Sequence, residues 1–247
     1  MLGDPHVITL DGLQYTFNGK GEFSLIETES NTFTLQGRMV QAVSVSGEAS
    51  LATVFSAIVG KQNDSDSVQF TLSPEGGIDI AVSGEPIDFD GMMEHSFVNV
   101  VIMDKGNNSI SATFSSGAYI EVRASNGILS LLLVSLPITF FNKTRGLMGS
   151  YNGNKFDDLT PKLGDTVGEP LSVNSSLDDI HTQFGITCKL MLWSWSGACY
   201  KFITLITQGS STDLKTAYSH MLLEKAGQVS MIQVSALYSP QCLMILN

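Results

Sequence analysis

Tyr119-Ile120-Glu121-Val122-Arg123-Ala124-Ser125-Asn126-Gly127-Ile128-Leu129-Ser130-Leu131-Leu132-Leu133-Val134-Ser135-Leu136 is the stretch that decides the fold class. Its first arm, Tyr119–Arg123, alternates apolar and polar residues, the period of a strand with one buried face. Ser125-Asn126-Gly127 then supplies residues that tolerate positive φ, as a tight hairpin turn requires. The second arm, Ile128–Leu136, is almost wholly apolar and reads as a strand buried on both faces.

The same punctuation recurs on the N-terminal side. Short apolar or alternating runs fall at His6–Leu10, Leu13–Phe17, Glu22–Ile26, Val54–Val59, Val68–Leu72, Ile78–Val82, Phe97–Met103 and Ile110–Phe114, with Phe33 and Leu35 continuing the pattern. Asn18-Gly19-Lys20-Gly21 is expected to close a hairpin between the second and third runs. Nothing before residue 170 has a helical period. About ten to twelve short strands separated by turns predict an all-β chain, an antiparallel sandwich or open barrel.

Two helices are expected later. Ser176-Leu177-Asp178-Asp179 resembles a capping box, and that helix should run through Phe184 and stop at Gly185. In the tail, Leu214, Ala217, Tyr218, Met221 and Leu222 keep helical spacing, predicting a helix over 213–226. The expected division is a main domain over residues 3–187 and an atypical tail over 188–247.

Composition narrows the function. The chain has 247 residues, with 13 Lys+Arg against 24 Asp+Glu, a net charge of −11. Such a balance excludes a nucleic-acid footprint and disfavours an anionic membrane surface. Cys188, Cys199 and Cys242 all lie in the last quarter, so no disulfide framework holds the first 187 residues. Cys188–Ile206 is apolar but carries Lys189 and Lys201, which argues against a membrane span. The chain opens without a basic region or apolar leader, as either a cytosolic protein or a piece of a longer extracellular one would.

Two strings frame the β-rich stretch. The first is Gly3-Asp4-Pro5-His6, followed by Thr9-Leu10-Asp11-Gly12 and Tyr15-Thr16-Phe17. The second runs from Gly146-Leu147-Met148-Gly149 through Asn152-Gly153-Asn154 to Asp157-Asp158-Leu159, with Gln183-Phe184-Gly185 beyond it. Together they resemble the von Willebrand factor type D domain over roughly residues 3–187. Met148 stands where gel-forming members carry a cysteine. The cysteine-poor domain is similar to the branch found in membrane-tethered mucins and sushi-domain adhesion proteins, beside AMOP and NIDO modules.

The second string also has a chemistry of its own. Asn152, Asn154, Asp157 and Asp158 put four side-chain oxygens within seven residues, and Gly153 lets the backbone turn tightly. Hard cations such as Ca²⁺ take six to eight oxygens, and the loop holds no His or Cys for zinc. From spacing alone the loop reads rather as an Asn-Gly turn with solvated aspartates. The resemblance implies a structural Ca²⁺ held by Asp11, Asn152, Asn154, Asp157 and Asp158.

The resemblance also implies a self-cleavage candidate at Asp4–Pro5, since some members are cut there. The Asp carboxyl can attack its own main-chain carbonyl, the C–N bond to proline breaks as the proline nitrogen leaves protonated, and His6 could deliver or hold that proton. The alternative is a plain Asp-Pro turn entering a strand. Asn63, Asn107, Asn142 and Asn174 are glycosylation acceptors by motif. Ser150 lacks the Gly-x-Ser-x-Gly elbow of a hydrolase.

The function expected is a non-catalytic extracellular interaction and assembly module of a mucin-like or adhesion glycoprotein, tethered or secreted. Its partners would be other cell-surface proteins or neighbouring domains, with no nucleic acid and no membrane insertion by this segment. An autoproteolytic module, or a fragment of a mis-spliced product, are the competing readings.

Overall fold

The computed structural model describes residues 6–43, 49–163 and 166–190. The expected tail helix over 213–226 lies outside these residues, as do Asp4, Pro5, Cys199 and Cys242.

Two antiparallel sheets carry the domain. The first half of the chain forms β1 (His6–Ile8), β2 (Gln14–Thr16), β3 (Gly21–Thr28), β4 (Phe33–Val43), β5 (Ala49–Gln62), β6 (Val68–Leu72), β7 (Ile78–Val82) and β8 (Glu85–Ile87). The second half forms β9 (Glu94–Phe97), β10 (Val100–Gly106), β11 (Ser109–Phe114), β12 (Tyr119–Ser125), β13 (Ile128–Ser135) and β14 (Thr144–Arg145), then β15 (Lys162–Leu163) and β16 (Thr166–Val167). The seven-stranded sheet has the order β14-β3-β4-β5-β6-β7-β8, and the five-stranded sheet β13-β12-β11-β10-β9. Among the described residues β1 pairs only with β2, and β15 with β16. Among the described residues each large sheet keeps two free edges, so this is a sandwich and no barrel closes.

The core lies between the sheets. Phe23, Leu25, Phe33, Leu35, Ile58 and Phe70 face it from one sheet, and Ile102, Ala112, Phe114, Ile120 and Val122 from the other. Phe33 meets Phe114 edge to face, with ring centroids 5.4 Å apart, a favoured aromatic geometry. A Cβ on Gly60 would collide with Ile120 of the opposing sheet, so this glycine sets how closely the layers approach. Glu27 on β3 binds Arg145 of β14 at 3.0 Å and Lys162 of β15 at 2.9 Å. Burial pushes its carboxyl up, but the two cations outweigh that and hold it below the ordinary range.

Four local expectations are corrected. β2 and β3 form no hairpin: β2 pairs with β1, while β3 pairs with β4 and β14. The connection packs inward, and a Cβ on Gly19 would strike the rings of Phe17 and Phe23. The run Phe97–Met103 is two strands, because Asn99 takes φ 54° and turns the chain between β9 and β10. β13 is a sheet edge with Leu133 49% exposed, so it is not buried on both faces. Its outward leucines stand opposite Glu121 and Arg123 of β12.

The fourth correction concerns the helix after Ser176. The N-cap half of the capping box forms, with the Ser176 hydroxyl accepting from Asp179 N at 3.1 Å, and the same hydroxyl donates to the Asp179 carboxylate at 2.6 Å. Gly185, however, has φ −58° and does not stop the helical turns, which continue to Cys188. A Cβ there would drive into the Phe17 ring, so glycine is required for packing and not for a left-handed cap. Beyond residue 187 the chain still pairs, with Leu190 N donating to Glu22 O at 2.9 Å.

Candidate functional site

The two framing strings meet in space. Between β1 and β2 the chain folds back on itself, with Thr9 N donating to Leu13 O and Leu13 N to the Thr9 hydroxyl, at 2.9 and 2.8 Å. Asp11 is thereby held at the tip. The second string enters through Gly146, whose φ of +119° lets Leu147 N and Met148 N donate to Ser24 O and Leu25 O of β3. These bonds use the irregularity in β3 between Ser24 and Ile26. Leu10 N donates to Met148 O at 2.9 Å, and the Tyr15 hydroxyl donates to Leu147 O. Leu147 and Met148 are both buried, so Met148 is a core residue here.

Asp11 caps the following loop. Its Oδ2 accepts from three successive backbone amides: Asn152 at 2.9 Å, Gly153 at 2.8 Å and Asn154 at 3.0 Å. Gly153, at φ +83°, gives that backbone the curvature of an anion-binding nest. Asn152 and Asn154 both direct their side-chain amides to Asp157 Oδ2, at 2.9 and 3.1 Å. Asp157 Oδ1 is buried and has no hydrogen-bond partner among the described residues. Such an orphaned carboxylate oxygen is uncommon in a folded chain.

Asp158 plays a different part. It is 2% exposed, and its oxygens accept from Ser150 N at 2.9 Å and from the Thr9 hydroxyl at 2.6 Å. Gly149 at φ +74° lies directly against this carboxylate, where a Cβ would overlap it. Thus four of the five residues singled out in sequence share one cluster around Asp157, while Asp158 locks the same loop onto Thr9. The part played by Thr9 was missed, although it stands two residues before Asp11 in the first string.

Burial raises the Asp158 carboxyl to about 6, from an ordinary value of 3.8. The bonds from Thr9 and Ser150 oppose the rise, and the charges of Asp11 and Asp157 add to it. A carboxyl raised in the folded state binds protons more readily there than in the unfolded chain. Its stabilising contribution is complete below about pH 4 and is lost as pH rises through about 6. With chelator present, the melting temperature of the parent relative to Asp158→Asn should therefore be higher at pH 5 than at pH 7. A difference between the two proteins that does not change with pH would contradict this assignment.

Asp11, Asp157 and Asp158 form a negative cluster, and the ion pairs seen among the described residues lie elsewhere. Among the described residues no three of His, Cys, Asp and Glu group tightly enough to hold a metal by themselves. A cation here would need amide and main-chain oxygens as well, the donor set of calcium rather than zinc. Asn152 and Asn154 fit that set, since turning each amide about its bond exchanges the donor for an oxygen.

The other sequence candidates scatter. His6 is exposed, with Nδ1 3.1 Å from the Thr16 hydroxyl. Asn63, Asn107, Asn142 and Asn174 are all exposed. His181 stacks on Phe17, centroids 5.4 Å apart. Cys188 is a free buried thiol, pushed up to about 12 by that burial.

Comparison with known proteins follows this geometry. The profile of the von Willebrand factor type D domain matches residues 1–164. Human Mucin-4 is 32% identical over 204 residues, covering 77% of this chain and 4% of its own length. Protein mesh of Bombyx mori is 34% identical over 173 residues, 65% of this chain and 11% of its own length. Human Sushi domain-containing protein 2 is 30% identical over 163 residues, 66% and 20% respectively. The chain thus spans a fifth or less of each of these relatives.

Proposed function

This chain belongs to the von Willebrand factor type D domain family, and on that premise we propose that it is a non-catalytic extracellular interaction and assembly module ordered by one structural Ca²⁺. Asp11, Asn152, Asn154 and Asp157 hold the ion, and Asp158 holds the loop that presents them. When bound, calcium supplies positive charge that draws these oxygens together, and it takes no part in bond making.

The observation that carries the reading is the buried, unpartnered Asp157 Oδ1 beside an uncompensated cluster of carboxylates. Without a cation the buried oxygen forfeits a hydrogen bond, which costs about 1–3 kcal/mol. Asp11, engaged by three amides, and Asp158, engaged by Thr9 and Ser150, hold the loop, while the competing self-cleavage reading rests on Asp4 and Pro5, outside the described residues. Four exposed glycosylation motifs and the mucin and sushi-domain relatives support a surface glycoprotein, tethered or secreted. Its partners are neighbouring domains of a longer chain or other cell-surface proteins.

Thermal unfolding tests the reading. Calcium at a hundredfold excess over its dissociation constant should raise the melting temperature by about 5–10 °C. Asp157→Ala should abolish that gain. Identical melting of the parent with calcium and with chelator would refute the metal.

A further inference from the structure

At the far end of the seven-stranded sheet from β14, each main sheet terminates, among the described residues, in a short strand with a free edge. These are β8, Glu85–Ile87, and β9, Glu94–Phe97, joined by the loop 88–93. The rings of Phe89, His95 and Phe97 fill the gap in series, with centroids 5.3 and 6.2 Å apart. His95 Nε2 is buried there without a partner.

The loop itself is pinned. Asp90 and Gly91 both take positive φ, 47° and 82°, and Met92 N closes the turn onto Phe89 O at 2.7 Å. Asp104 N of β10 donates to Met93 O at 2.9 Å. On this fixed backbone Met92 and Met93 stand 54% and 70% exposed. Adjacent exposed methionines, flexible and polarizable, suit an adaptable contact surface.

Along the chain the charge flanking them is acidic up to Lys105, which follows Asp104 of β10. Between Lys61 and Lys105 the chain has nine Asp or Glu and no Lys or Arg. Asp88, Asp90 and Glu94, the nearest in sequence to the methionines, are exposed. A second copy of the same surface would be repelled, and Pro86 and Glu94 on the edge strands oppose strand-to-strand self-pairing. The occupant that fits carries positive charge around an apolar centre.

We propose that the β8–β9 edge docks a basic polypeptide segment bearing apolar side chains, with Met92 and Met93 as its apolar contacts and Asp88, Asp90 and Glu94 as its charged rim. This rests on the reading of the domain as an interaction module and gives that module a surface and a partner chemistry. The surface shares no residue with the calcium cluster.

Fluorescence anisotropy of the full chain with three labelled synthetic peptides tests it. One alternates lysine with leucine, one lysine with serine, and one glutamate with leucine. The lysine–leucine peptide should bind about tenfold or more tighter than the lysine–serine peptide, and the glutamate–leucine peptide should not bind. Met92→Ser with Met93→Ser should weaken the lysine–leucine peptide about tenfold and leave the lysine–serine peptide unchanged. The control pair Glu169→Gln with Asp178→Asn should alter neither. Parent-like binding by the methionine variant, or equal weakening by the control pair, overturns the proposal. A chain that still gains stability from calcium yet ignores the lysine–leucine peptide loses this surface and keeps the metal. A chain that binds the peptide but does not respond to calcium does the reverse.

Discussion

Gly146→Ala is expected to destabilise the domain by about 3–4 kcal/mol, lowering the melting temperature by roughly 10 °C. Two penalties combine. The residue sits at φ +119°, where an L side chain is strained by about 1–2 kcal/mol. An added Cβ would also lie 2.7 Å from Leu25 O and 3.0 Å from Ser24 O. Both are backbone atoms of β3, and Leu147 N and Met148 N already bond to them. No side chain can swing away to make room, so the Leu147–Met148 turn must lift from the sheet.

Gly127→Ala is the control. Gly127 has φ +70° and nothing within 4 Å of the added Cβ, so only the conformational penalty of about 1 kcal/mol applies. Urea unfolding of both variants separates steric closure from backbone strain. Equal losses would mean that the contact with β3 contributes nothing.

Asp11→Ala is expected to cost about 2–3 kcal/mol even in chelator. The amides of Asn152, Gly153 and Asn154 all lose their acceptor, and a link spanning more than 140 residues of chain disappears. Gly153 and Asn154 are exposed, so water recovers part of the loss and keeps the estimate below three full charged hydrogen bonds. Asp11→Asn retains a neutral acceptor and should recover roughly half. Amide exchange should accelerate at residues 152–154 in Asp11→Ala and leave strand β12 protected. Unchanged protection of those three amides would show that Asp11 does not organise the loop.

For some neighbouring strand pairs local pattern was a sufficient guide. β6 and β7 occupy the runs expected of them, and the Tyr119 hairpin turns at Asn126-Gly127. Each needs only period-two alternation and a turn that accepts positive φ. The failures have more than one cause: the break at Asn99 is a local turn inside an apolar run, whereas others depend on partners distant in sequence. Leu13–Phe17 and Glu22–Ile26 look like hairpin arms because nothing local reveals that β3 bonds to β4 and β14. Gly185 looks like a helix stop because the Phe17 ring that forbids a side chain there is distant in sequence. The apolar face of β13 looks buried because an edge leucine and a core leucine are the same residue.

The site divides in the same way. The oxygen-rich loop 152–158 is visible from composition, and Gly153 marks its turn. That Asp11 reaches it came from a family resemblance, not from spacing. The contrast between Asp157, with an orphaned oxygen, and its neighbour Asp158, with both oxygens engaged, is a matter of which way each carboxylate faces. Adjacent identical residues cannot disclose that.

The most direct measurement is a calorimetric titration of calcium into the chelator-treated full chain, run beside Asp157→Ala. A single binding event per parent chain, absent in the variant, is the outcome predicted. A parent chain that takes up no calcium at millimolar concentration, or a variant that binds it equally well, would contradict the account.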